Sequence, residues 1–188
     1  MSNNFQAFTI SFLIVIIYFL DMMRRTRRAP ETSVHAINAK VREQWVTMII
    51  NSGKMDILAI QTLRNSVMAA NFMASTAVLM IIGTLNLSEK IGGWALNHPY
   101  ILSTENVSDG LWQIKLGVLL LVFFVAFYCF SMAIRFFNHV GYLINLPNNE
   151  DSPAILIRRT CTYLNRAGSY YAVGTRAFYF TLPVVMWF

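Results

Sequence analysis

Long apolar runs alternate along this chain with stretches in which apolar residues recur every three or four positions. The first run covers 5–23 and contains Phe12-Leu13-Ile14-Val15-Ile16-Ile17. A helix of that length crosses a hydrocarbon core of ~30 Å at ~1.5 Å per residue. Nothing basic precedes the run, and Arg24, Arg25, Arg27 and Arg28 follow it. A cleaved secretory leader has the opposite arrangement. The run is therefore expected to be a retained anchor with its N-terminus outside.

From 34 to 50 the pattern changes. Val34, Ile37, Val41, Trp45, Met48 and Ile49 are interleaved with Asn38, Lys40, Arg42, Glu43 and Gln44. Spacings of three and four predict an amphipathic helix. At a membrane surface it would sink Trp45 and keep Lys40 and Arg42 among the headgroups. Asn51-Ser52-Gly53 predicts its end.

Two further runs, 66–85 and 111–134, are long enough to cross a bilayer. The run 66–85 could be entered by a helix already begun at Ile57. Between the two lies a polar stretch, 86–110, with Trp94, Tyr100 and Trp112 placed as an interfacial aromatic belt. Asn145 to Pro153 predicts a loop, and 155–171 a second amphipathic interfacial segment. A last apolar block occupies 178–188, about 16 Å of helix. That is too short to cross, so the natural chain is expected to continue past Phe188. The fold class expected is an all-α polytopic membrane domain, with about four membrane helices and two amphipathic cytoplasmic segments.

Composition narrows this picture. Apolar residues make up 56% of the chain and charged residues 13%, against about 25% charged in soluble domains. The net charge of +6 does not indicate nucleic acid, because the charges are sorted by loop. Eight Lys or Arg lie in 24–64 and five in 135–176, thirteen of the fifteen in the chain. The stretch 86–110 holds only Lys90. The positive-inside rule puts both basic regions in the cytoplasm, in a multi-pass protein of the cell membrane, the inner membrane if the source is bacterial. Two cysteines, Cys129 and Cys161, are too few for a disulfide framework.

Motifs for catalysis are absent: there is no phosphate-binding glycine loop, no His-Glu-x-x-His and no nucleophile elbow. His35, His98 and His139 are scattered and fall on two sides of the membrane, so no metal, haem or other cofactor is expected. What remains is polarity within apolar blocks, which is costly in lipid and often functional. Arg64, Asn65 and Asn71 fall in or beside the second run. Ser131, Arg135 and His139 follow at i, i+4 and i+8 in the third, which stacks them on one helix face. These six residues are a candidate polar seam between helices or protomers; snorkelling of the arginines to headgroups is the plainer alternative. Asp21 is a candidate counter-charge for Arg135, and Lys115 sits near the outer end of the third run. Ser66, Ala70 and Ala74 repeat every four residues and form a candidate helix-packing face, since small residues let backbones approach closely. Asn86-Leu87-Ser88 and Asn106-Val107-Ser108 match glycosylation acceptors by pattern alone. A weak internal echo pairs Leu63-Arg64-Asn65 with Thr175-Arg176-Ala177, each just before an apolar block.

Several stretches together resemble a known family. They are Val41-Arg42-Glu43-Gln44-Trp45-Val46, then Ile60-Gln61-Thr62-Leu63-Arg64-Asn65-Ser66 followed by Phe72-Met73-Ala74-Ser75-Thr76, then Ser131-x-x-x-Arg135-Phe136-Phe137-Asn138-His139, and finally Arg176-Ala177-Phe178-Tyr179-Phe180. They are similar to motifs of the family called domain of unknown function 599, found in bacteria and plants, over roughly residues 40–188. The resemblance implies a multi-helix membrane protein, with members continuing beyond the position of Phe188, and no established activity. Three functions stay open at this point. One is a self-associating, channel-like or transport-like membrane protein with a polar seam. Another is an accessory or scaffold subunit of a larger membrane complex. The third is a membrane enzyme. The partners expected are the lipid bilayer and either further copies of the chain or other membrane subunits, not nucleic acid.

Overall fold

The computed structural model describes residues 34–52, 56–97, 109–146 and 153–186, and in addition Leu13, Ile17, Asp21 and Arg24, which are helical. Most of the first apolar run, Gly53, the tip of the 86–110 stretch with Tyr100, the side chains of His35, Trp94 and Trp112, and residues 187–188 lie outside the described residues. Among the described residues every regular element is a helix: α1 Val34–Ser52, α2 Asp56–Asn97, α3 Asp109–Ile144 and α4 Pro153–Met186.

Local chemistry sets several of these limits. α2 and α3 begin at Asp56 and Asp109, a residue type favoured where helices start. α4 begins at Pro153, the position where a missing N–H costs nothing. α3 ends in a turn: the Asn145 and Leu146 backbone N–H groups donate to the Tyr142 and Leu143 carbonyls at 3.2 and 3.4 Å. The Asn145 side-chain amide donates to the Gly141 carbonyl at 3.0 Å, and Pro147 follows in the sequence.

α3 is the central helix, flanked by α2 and α4, and α1 packs on α4. The core falls into three layers along the bundle. In the first, all four helices meet: Val46 and Ile49, Ala59 and Leu63, Ala133, Phe137, Val140 and Ile144, with Leu164 and Ala167. The second joins Ala74 and Ala77 to Ala126 and Phe130 and to Ala177. The third holds Ile81, Leu119 and Phe123, with Phe178 against them. Residue numbers rise along α2 and fall along α3 through these layers, so the two helices are antiparallel, and α4 reverses again. The start of α2, the end of α3, the start of α4 and all of α1 therefore share one end of the bundle.

Small residues carry the α2–α3 contact. Ala59, Ala70, Ala77, Ala126 and Ala133 are all 0% exposed. Phe130, also fully buried, fills the space between them and α4. Its ring meets Tyr171 at 5.5 Å and Phe178 at 5.9 Å between centroids. Gly174 faces that ring; a Cβ there would lie 3.0 Å from it. Thr160 is fully buried with an unpaired hydroxyl, a polar group left without a partner at a cost of about 1–3 kcal/mol.

Two stretches are long and apolar enough to cross a membrane: Ile57–Asn86, with 30 residues, and Gln113–Ile144, with 32. Their outward surfaces carry Met68, Phe72, Leu79, Ile82, Ile114, Leu121 and Phe124, all exposed.

Two features depart from the sequence expectation. α2 runs without a break from Asp56 to Asn97, so the first half of the polar 86–110 stretch is helix. Hydropathy marks where an apolar environment would end and says nothing of where hydrogen-bonded turns end, and Ser88-Glu89-Lys90 contains no breaker. The 155–171 segment and the apolar block from 178 are one helix, α4; Gly174, between them, is a packing glycine and not a break. Among the described residues two helices pass as membrane-crossing by length and composition; most of the expected first span lies outside the described residues.

The alanine row gives a direct test. Ala70 is fully buried, whereas the neighbouring Ala69 is exposed. Ala70→Leu is expected to destabilise the protein by about 1–3 kcal/mol, the usual cost of overpacking, and Ala69→Leu to be neutral. Thermal melts of the two variants in neutral detergent check this.

Candidate functional site

The small-residue row predicted on α2 lies inside the chain: Ala70 and Ala74 are buried and Ser66 is half-buried. The Ser66 hydroxyl donates to the Thr62 carbonyl at 3.1 Å, which satisfies it within its own helix. Thr76 and Thr84 are satisfied in the same way, at 2.9 and 2.7 Å.

The six seam candidates do not converge within one chain. Arg64, Asn65, Asn71, Arg135 and His139 are exposed and Ser131 is half-buried. On α3, Arg135 lies on the side opposite Ala126, Ala133 and Val140, and so points away from the bundle. On α2, Arg64 and Asn71 are seven residues apart and share one outward flank, while Asn65 lies on the other. Asp21 is exposed as well. Lys115 is buried, 4% exposed.

Two other constellations are assembled instead. One is the docking of α1 on α4. Arg42 lays its guanidinium across Gly168, and its Nη1 donates to Asn165 Oδ1 at 3.3 Å. A Cβ at Gly168 would overlap that guanidinium, so this glycine makes the close approach possible. Burial pushes the Arg42 guanidinium below its ordinary pKa, yet it keeps its charge at neutral pH. Nearby, burial first and the Glu43 carboxylate second push the Cys161 thiol up. That is the environment of an inert thiol and not of a nucleophile.

The other is a run of rings in contact along the α3–α4 groove. Tyr128 meets Tyr170 at 6.4 Å, and Tyr170 stacks on Phe136 at 5.5 Å. Phe136 meets Tyr163 at 5.8 Å, Tyr163 meets His139 at 5.7 Å, and His139 meets Tyr142 at 6.3 Å. Tilted and offset pairs at these distances are attractive beyond their area. The run ends in a cavity of about 350 Å³ walled by His139, Tyr142, Leu143, Leu146, Arg159 and Tyr163. Among the described residues no cluster of His, Cys, Asp or Glu could hold a metal ion.

Sequence reasoning singled out His139 and missed its companions. Tyr128 and Phe136 stand eight residues apart on α3, and Tyr163 and Tyr170 seven apart on α4. Both spacings put each pair on one helix face. That recurrence was the available signal, and the bulk apolar character of the run concealed it.

A protein-family model, described as protein of unknown function, DUF599, matches residues 6–188. Searches of curated proteins and of solved structures find no match.

The Gly168 contact predicts that Gly168→Leu displaces the Arg42 guanidinium and loosens α1. Arg42→Ala should loosen it less, since it only removes the hydrogen bond and stem packing. Limited proteolysis within 34–52 is expected to speed up in both variants, more in Gly168→Leu.

Proposed function

This chain belongs to the family described as protein of unknown function, DUF599, and from that premise we propose that it is a multi-pass membrane protein whose copies associate through the outward face of α2. The polar residues on that face form a seam between protomers, in a channel-like or transport-like assembly. The basic end of the bundle faces the cytoplasm.

The observation that carries the self-association is Asn71. It is the fifteenth of the 30 residues of Ile57–Asn86, the middle of the apolar stretch. It is exposed, with no hydrogen-bond partner among the described residues. Moving an unpaired amide into hydrocarbon costs roughly 4–8 kcal/mol, while a hydrogen bond between membrane helices returns about 0.6 kcal/mol on average. A partnered Asn71 is therefore preferred to one facing lipid, by the modest amount typical of one interhelical hydrogen bond. Arg64, Met68, Asn71 and Ser75 follow one another at spacings of four, three and four on one exposed flank, the pattern of a helix–helix seam.

Further support for the membrane setting comes from the surface. A soluble protein rarely leaves so many large apolar side chains exposed over two long helices. Lys40, Arg42, Arg64, Arg135, Arg158, Arg159 and Arg166 gather at the end where α1 meets the bundle, as the positive-inside rule requires of a cytoplasmic side. Val34, Ile37, Val41 and Met48 of α1 are exposed, a row suited to lying in the headgroup boundary.

The test is oxidative cross-linking in native membranes, in a background with Cys129 and Cys161 replaced by Ala. Ser75→Cys is expected to give a disulfide-linked dimer. Met80→Cys, exposed on the other flank of α2, should not. A monomeric mass together with no Ser75→Cys cross-link contradicts the proposal, and a cross-link to a different protein would favour an accessory subunit.

A further inference from the structure

The outward face of α3 plays no part in association through α2, and its character changes once along its length. Leu121, Phe124 and Tyr128 are exposed on it. Ser131, Arg135, Asn138 and His139 follow on the same side, all within about 60° of Arg135 round the helix. Arg135, Ser131 and Asn138 make no side-chain hydrogen bond or ion pair among the described residues. The helices themselves supply no counter-charge, since Ile57–Asn86, Gln113–Ile144 and α4 contain no Asp or Glu. Glu150 and Asp151 follow only after the end of α3, whose last residue Ile144 is about 14 Å of helix beyond Arg135.

The level of Arg135 is also defined. Leu63 and Ala133 belong to one core cluster, so Arg64 and Arg135 stand at one height. Twenty-two residues separate Arg64 from Asn86, and twenty-two separate Gln113 from Arg135, about 33 Å of helix. A hydrocarbon core is ~30 Å thick. With Asn86 and Gln113 at one boundary, Arg135 reaches the other, where lipid phosphates lie. An apolar occupant of this face would leave the guanidinium unpaired, at a cost. A small soluble anion would leave Leu121 and Phe124 uncovered. An amphipathic anion satisfies both halves.

We propose that this face of α3 binds an anionic phospholipid of the cytoplasmic leaflet, with the phosphate on Arg135 and an acyl chain along Tyr128, Phe124 and Leu121. The guanidinium is a planar fork that matches phosphate oxygens two at a time, and Ser131, Asn138 and His139 offer further donors. Ring contacts brace the face: His139 rests against Tyr163 and Tyr142, and Tyr128 against Tyr170. A zwitterionic headgroup brings its own cation to the phosphate, whereas an anionic one leaves that charge for Arg135. The proposal rests on the reading that α3 crosses the membrane with its basic end inside, and not on association through α2.

The test uses the full chain in neutral maltoside micelles. Native mass spectrometry compares retention of dioleoyl phosphatidylglycerol with that of dioleoyl phosphatidylcholine. Phosphatidylglycerol is expected to be retained in preference. Arg135→Gln should weaken its binding about fivefold, the usual contribution of one basic residue at an anionic surface. Arg135→Lys keeps the charge without the fork and should lose less. Arg158→Gln removes the same charge from another exposed arginine, near the start of α4, and should leave retention unchanged. Equal losses in Arg135→Gln and Arg158→Gln would reduce the effect to general charge attraction and overturn the site. Equal retention of the two lipids by the wild-type chain would overturn it as well. Recovery of the wild-type chain from cells in the soluble fraction, without detergent, would overturn the membrane reading and this site with it.

Discussion

Close approach of α2 to α3 is the constraint on which the rest of the bundle depends. Ala59, Ala70 and Ala77 on one helix and Ala126 and Ala133 on the other are fully buried, and each offers the partner backbone little more than a methyl group. Between helices in lipid the hydrophobic effect supplies almost no drive, because the chains of the bilayer are as apolar as leucine. In the membrane setting proposed above, dense packing and small residues do what hydrophobic burial does in water. The alanine contact also fixes the relative height of the two helices. It brings the start of α2 level with the end of α3, and α1 and the start of α4 dock around that level.

Once that end is assembled, its chemistry follows. Arg42 lays its guanidinium where a side chain at Gly168 would displace it, and it finds the Asn165 amide there. The ring run from Tyr128 to Tyr142 fills the groove that α3 and α4 leave between them and opens into the His139 cavity. The buried Thr84 hydroxyl is returned to its own helix and so carries no message between helices. Asn71 differs. Its side-chain amide makes no such bond among the described residues, and in a membrane its exposure points beyond the single chain.

Much of the architecture was legible in the sequence, for identifiable reasons. The α1 boundaries follow from the three-and-four spacing that ends at Asn51-Ser52-Gly53, and the central α3 from its density of Leu, Val and Phe. The row Ser66, Ala70 and Ala74 was visible because small residues at four-residue spacing have few other uses in an apolar helix. Two things were not legible. Hydropathy reports the surroundings of a residue and not its hydrogen bonds, so the continuation of α2 to Asn97 and the fusion of two segments into α4 were missed. The candidate site was only partly visible, since a pocket made by two helices depends on their relative rotation. His139 stood out as a polar residue in an apolar run, whereas Arg159 and Tyr163 belonged to what read as an amphipathic interfacial segment.

The central claim is that this bundle stands in a membrane with its basic end inside, and labelling of single cysteines tests it most directly. In intact cells of a cysteine-free background, a membrane-impermeant maleimide should modify a cysteine at Asn106, between α2 and α3 in sequence, and should reach one at Asn148, between α3 and α4, only after permeabilisation. Modification of the Asn148 cysteine from outside, or equal modification of both in a soluble fraction, would contradict the account.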